Sequence, residues 1–124
     1  MSWENVKIRD TEEARRQMVD LNCSPEGAEI MAPKAVFITV RLRGVKNYVA
    51  NILKQEMLSL GGEVAVPYGI VDCKKERADL LVFGTLRQYR DLLDAMVDQS
   101  KLITCGDIIT DLREIVSHYG GELK

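Results

Sequence analysis

Two short runs of β-forming residues, each leading into an apolar stripe at helical spacing, constrain this chain more than anything else in it. In Ala35–Arg43, Val36, Ile38, Val40 and Leu42 fall on one side, and Thr39, Arg41 and Arg43 on the other. That period of two predicts a half-buried strand. Gly44 breaks it. Val45, Val49, Ile52, Leu53, Met57 and Leu60 then form one helical stripe, which Gly61-Gly62 ends. The second run, Ala78-Asp79-Leu80-Leu81-Val82-Phe83, suits a strand buried on both faces or central in a sheet. Thr85 follows as an N-cap, with Gln88 three residues on as its capping-box partner. Leu86, Tyr89, Leu92, Leu93, Met96 and Val97 make the apolar face of the helix it opens.

The remaining signals are shorter. Val6 and Ile8 alternate with polar residues and predict an edge strand. Asp10 or Thr11 starts a helix to about Asn22 that buries Ala14, Met18 and Leu21, with Glu13 as the capping-box partner of Asp10. Ser24-Pro25 opens one or two further turns, ending before Pro33. Glu63–Val66 reads as a short strand closed by Pro67, and Leu102–Thr104 as a final one. A last helix runs from about Asp107 to His118, and Gly120-Gly121 stops it. From Ala35 onward the order is βαββαβ, the ferredoxin-like arrangement. The expected fold is therefore α+β: a two-layer sandwich with an additional N-terminal β-α and a C-terminal helix. The alternative is a three-layer α/β sheet with helices on both faces.

At 124 residues the chain fits a single domain, 1–124, and is too short for a TIM barrel, which takes about 250 residues. Seventeen basic and nineteen acidic residues leave a net charge of −2, so nothing in bulk draws the chain to nucleic acid or an anionic membrane. No stretch approaches the length of a membrane span, and the first residues lack the apolar core of a secretory signal. Cys23, Cys73 and Cys105 are odd in number and far apart, which fits the reducing cytoplasm better than a disulfide framework.

Catalytic and metal chemistry find little footing. His118 is the single histidine, near a helix end where a cation meets the dipole, and no nucleophile is spaced to use it. Asp72 and Cys73 are adjacent with no further ligand near them in sequence. No catalytic residue, metal site or cofactor is expected. Two places remain as binding candidates. Gly84-Thr85-Leu86-Arg87 stands where a strand turns into a helix, so free N–H groups, the helix dipole and Arg87 could hold an anion. The same residues read first as a plain capped helix start, with the anion site as the functional alternative. Asn51, Lys54, Gln55 and Glu56 lie mostly off the apolar stripe of their helix, either as a solvated face or as a recognition face. Arg41 and Arg43 likewise fit a solvated sheet face or a patch that meets another domain.

Three segments together carry a family resemblance: Ile30-Met31-Ala32-Pro33-Lys34-Ala35; the stretch 50–66, with Asn51-Ile52-Leu53-Lys54-Gln55-Glu56-Met57-Leu58-Ser59-Leu60-Gly61-Gly62 at its centre; and the stretch 78–88, ending Gly84-Thr85-Leu86-Arg87-Gln88. Cys23-Ser24-Pro25-Glu26-Gly27 fits ahead of them. Over roughly Ile8 to Tyr119 this resembles the N-terminal extension that some dihydropteroate synthases carry before their pterin-binding barrel. Those enzymes join a hydroxymethyl-dihydropterin diphosphate to p-aminobenzoate in folate biosynthesis. The G-x-x-N-x-T-P-D-S-F segment that opens the barrel does not occur here, so no catalytic residue carries over. The resemblance implies a non-catalytic accessory, regulatory or oligomerisation domain. Its partner would be a synthase barrel, in cis or in trans, or a second copy of itself. The Asn51, Lys54, Gln55 and Glu56 face is then the expected contact, and residues 120–124 stand where a linker to the barrel would start. The alternative is a sensor for a pterin, p-aminobenzoate or a nucleotide at Gly84, Thr85 and Arg87.

Overall fold

A computed structural model describes residues 2–121. Helices α1 (Thr11–Asp20) and α2 (Pro25–Ala35) precede strand β1 (Phe37–Lys46) and helix α3 (Asn47–Ser59). Strands β2 (Glu63–Ala65) and β3 (Arg77–Thr85) follow, then helices α4 (Leu86–Gln99) and α5 (Gly106–Gly120). The fold is mixed α+β, with a three-stranded antiparallel sheet in the order β1-β3-β2.

The alternation in β1 does what its spacing implies. Val36, Ile38 and Leu42 are buried against the helices and Val40 is half-buried, while Thr39, Arg41 and Arg43 face solvent. β3 is the central strand, but only one of its faces is covered. Leu80 and Val82 are buried, whereas Leu81 remains 39% exposed. On the covered side, Leu53 and Met57 of α3 and Leu86, Tyr89, Leu92 and Met96 of α4 are fully buried. The Tyr89 hydroxyl reaches up to the sheet, 2.8 Å from the Val82 carbonyl and 3.2 Å from that of Ile38, and so ties α4 to both long strands. Burial among these apolar groups raises its ionisation well above the ordinary phenol range. α5 packs on α4, with Leu112 fully buried, and α2 bridges α1 and α4.

Glycine matters most at the join of α3, β2, β3 and α4. A Cβ on Gly62 would lie 2.7–2.9 Å from three side-chain atoms of Met57. One on Gly84 would lie 2.7 Å from Met57 Cε and 2.7 Å from Gln88 Oε1. Both glycines thus make room for one buried methionine. At the same join Thr85 accepts from the Gln88 N–H, and Gln88 accepts from the Thr85 N–H, closing the capping box. The Gln88 amide then donates to the Leu60 carbonyl (3.1 Å), fastening the start of α4 to the end of α3.

Four expectations are corrected. Leu102–Thr104 forms a turn and not a strand, because Leu102 and Ile103 bond back to Gln99 and Leu102 is 84% exposed. The fourth strand of the expected core is therefore missing among the described residues. Val6 and Ile8 lie in an unpaired stretch, so no N-terminal strand forms there. Leu21 sits past the end of α1 and is 78% exposed. α2 runs on through Pro33 to Ala35, since Ala28, Ala32 and Pro33 are buried and their packing offsets the lost helical bond. Residues 122–124, part of the expected linker, lie outside the described residues; Gly120 ends α5, and Gly121 caps it in the left-handed region (φ 67°).

The join gives a direct test. Gly84→Ala must displace Met57 and the Gln88 capping arm together, so it should lower unfolding free energy by about 1–3 kcal/mol in urea titrations. An unchanged midpoint would mean that Met57 moves aside freely.

Candidate functional site

The helix face expected as a contact surface is largely spent on holding the fold. Asn51 donates to the Ile70 carbonyl (3.0 Å), pinning the connection between β2 and β3. Lys54 donates to the Val64 carbonyl (2.7 Å) and pairs with Glu63 at 3.2 Å, tying α3 to the edge strand β2. Gln55 is exposed and Glu56 half-buried. Two of the four residues are thus structural. The Val64 N–H and the Lys54 ammonium hold the Glu63 carboxyl below the usual carboxylate range.

The second candidate is closed by its own cap. The Thr85 hydroxyl and the Gln88 side chain occupy each other's backbone groups, Gly84 is buried, and Arg87 pairs with Asp91 one turn on. The free N–H groups that an anion would need at Thr85 and Gln88 are already bonded.

A more open place lies at the other end of the sheet. A cleft of about 380 Å³ separates the end of β1 from the start of α5. It exists because β1 bulges: the register slips between Leu42 and Val45, and Gly44 takes φ 61°. The bulge is held by the Gly44 N–H donating to Asp79 (3.0 Å) and by Arg77 donating to the Gly44 carbonyl (3.0 Å). It turns Arg43 and Lys46 into the cleft beside Arg77, with Lys46 Nζ 5.6 Å from the Tyr48 ring centroid. Asp107 and Asp111 of α5 face them, and Val45, Val49 and Ile108 add apolar wall. Cys105 caps α5 without a side-chain bond to its first turn, because its thiol contacts the Met96 carbonyl at 3.7 Å. Burial pushes that thiol up, away from reactive thiolate. The cleft thus offers three cations, two carboxylates and an apolar wall, a size and mixture suited to a small polar ligand. Of these, only Arg43 stood out in the sequence; the signal for the rest was a glycine interrupting a strand between basic residues.

The third surface is the sheet face that no helix covers. Phe37 is 63% exposed on it, beside Thr39, Leu81, half-buried Phe83 and Ala65, with Arg41 and Asp79 paired at 3.6 Å. Among the described residues no three His, Cys, Asp or Glu side chains gather as a metal would require, and no helix is long and apolar enough to cross a membrane. Compared with protein-family models, curated proteins and solved structures, the chain finds no match in any of the three.

The Glu63 pair predicts a pH dependence. A carboxyl whose folded value is depressed adds stability above its unfolded pKa, and loses that contribution as pH falls through the folded value. Stability should therefore decline below the ordinary carboxylate range, and Glu63→Gln should make that decline shallower. Parallel declines in the two proteins would show that the pair adds nothing.

Proposed function

We propose that this chain is a non-catalytic accessory domain of a dihydropteroate synthase-like protein, acting in the cytoplasm to regulate or assemble the catalytic barrel in cis or in trans. The observation that carries this reading is the uncovered sheet face with Phe37, Leu81 and Phe83. Apolar side chains of this size on one continuous face suit contact with another folded body. The resemblance over most of the chain names that body as the barrel. On the same reading the sheet is ferredoxin-like without its fourth strand among the described residues, since β1-β3-β2 is the neighbour order of the other three. The contact moves from the Asn51 and Lys54 helix face, which is internally engaged, to the opposite layer.

The test is co-elution of the purified chain with a dihydropteroate synthase barrel, and synthase activity with and without the chain. Binding or altered activity is expected, and Leu81→Lys should weaken it at least tenfold by placing a charge in the apolar face. A barrel that neither binds nor changes rate in the presence of the chain would overturn the reading.

The cleft beside the β1 bulge favours a second reading, a sensor for a pterin, p-aminobenzoate or a nucleotide bound there and not at Thr85. A ligand at 100 times its Kd should add about 2.7 kcal/mol of stability, and Arg43→Ala should remove most of that gain. Melting temperatures unmoved by all three ligand classes would sink it.

A further inference from the structure

We propose that the outer edge of β1 pairs with β1 of a second copy, antiparallel about a two-fold axis at Thr39, joining two three-stranded sheets into one of six strands. This deepens the oligomerisation half of the reading above and does not depend on the barrel.

β1 is ten residues long and lies at the sheet edge, whereas the opposite edge strand, β2, has three. Long exposed edges are normally covered, bulged or charged. The bulge and Arg43 blunt the far end, but Phe37 to Leu42 keeps unbroken register with β3. Val36 accepts from the Leu86 N–H, so alternation turns the backbone groups of Val36, Ile38, Val40 and Leu42 towards β3. Those of Phe37, Thr39 and Arg41 then point outward. Among the described residues no other strand takes them up: Ser2–Arg9 forms no strand, and Leu102–Thr104 is a turn.

The side chains on that stretch match themselves. With the axis at Thr39, Phe37 lies opposite Arg41 of the second copy, and Thr39 lies opposite Thr39. A guanidinium against an aromatic ring is a complementary pair, as are two threonines across strands. On the helix side, Ile38 meets Val40 and Val36 meets Leu42, apolar against apolar. The other registers fit worse. An axis at Arg41 sets like charges face to face. An axis at Val40 draws Phe37 against Arg43, at the bulge. A one-residue slip turns outward groups inward and exchanges the faces. The Thr39 axis alone keeps all seven pairs, from residue 36 to 42, short of the bulge. The small net charge of −2 puts little repulsion between copies.

Light scattering of the full chain over a concentration series tests this. A mass near 28 kDa is expected, twice that of the 14.0 kDa chain. Thr39→Pro removes an outward N–H that has no hydrogen bond among the described residues, a position where an edge strand accepts proline, and should give monomer. Phe37→Lys sets a cation against Arg41 of the second copy and should weaken the dimer about tenfold or more, while Phe37→Glu should keep it. Phe37 is 63% exposed, so both variants should fold, with unchanged circular dichroism. Monomer at every concentration overturns the proposal, and so does a dimer indifferent to both Thr39→Pro and Phe37→Lys. Loss of barrel binding in Thr39→Pro, with a wild-type chain that is monomeric alone, would assign the edge to the barrel instead. Failure of the barrel reading shows separately, as a dimer that does not bind barrel.

Discussion

The fold depends on one close approach. Gly62 and Gly84 leave the space in which Met57 is fully buried, and only there can the end of α3 lie against the end of β3. From that contact the rest is set. Gln88 can cap α4 and still reach the Leu60 carbonyl because the two helix ends are already adjacent. α4, so placed, puts the Tyr89 hydroxyl under the sheet between β1 and β3. Lys54, one turn before Met57, then lies within reach of β2. A side chain on either glycine would have to push a packed methionine, and protein interiors yield little to such a push.

That join also explains why these segments look distinctive in sequence. The helix closed by Gly61-Gly62 carries an expected contact face, and the strand closed by Gly84-Thr85 reads as an anion-binding turn. Their glycines instead admit a methionine, and their polar residues finish backbone bonds. Thr85 and Gln88 satisfy each other, and Asn51 and Lys54 satisfy carbonyls of the neighbouring strand and its loop. A capping box and an anion site draw on the same N–H groups, so the sequence pattern alone fits both.

How much could be read in advance follows from how local each signal is. β1 and α4 were legible because their patterns repeat over several turns or strand residues, with every inward position apolar. β3 was legible as central, but its unbroken apolar run says nothing about whether a second layer covers Leu81. Leu102–Thr104 has strand-like residues without a neighbour to pair with, and bonds back to α4 instead. α2 passes Pro33 because the small buried residues Ala28 and Ala32 let it pack closely, a tertiary gain that local propensity does not contain. The cleft was illegible for a similar reason. Arg43, Lys46, Arg77 and Asp107 come from three elements, and only the bulge at Gly44 aims the first three at the last.

The layer count bears on function more than any single side chain. One sheet face is packed by helices, while the other carries Phe37 and Leu81 into solvent. The longest strand stands at the edge where a fourth would add. A sandwich finished on one side and open on the other two has its stability from within and its specificity still to be met from outside. The structural bonds of Asn51, Lys54, Thr85 and Gln88 keep the covered layer rigid, and that rigidity presents the open face and edge in a fixed register. Face and edge are separable, because Leu81 and Phe83 project from the central strand while the outward groups of Thr39 lie in the plane of the sheet. A folded partner on the face and a second copy on the edge would therefore not compete for the same groups, so the two proposed contacts can be tested independently of one another.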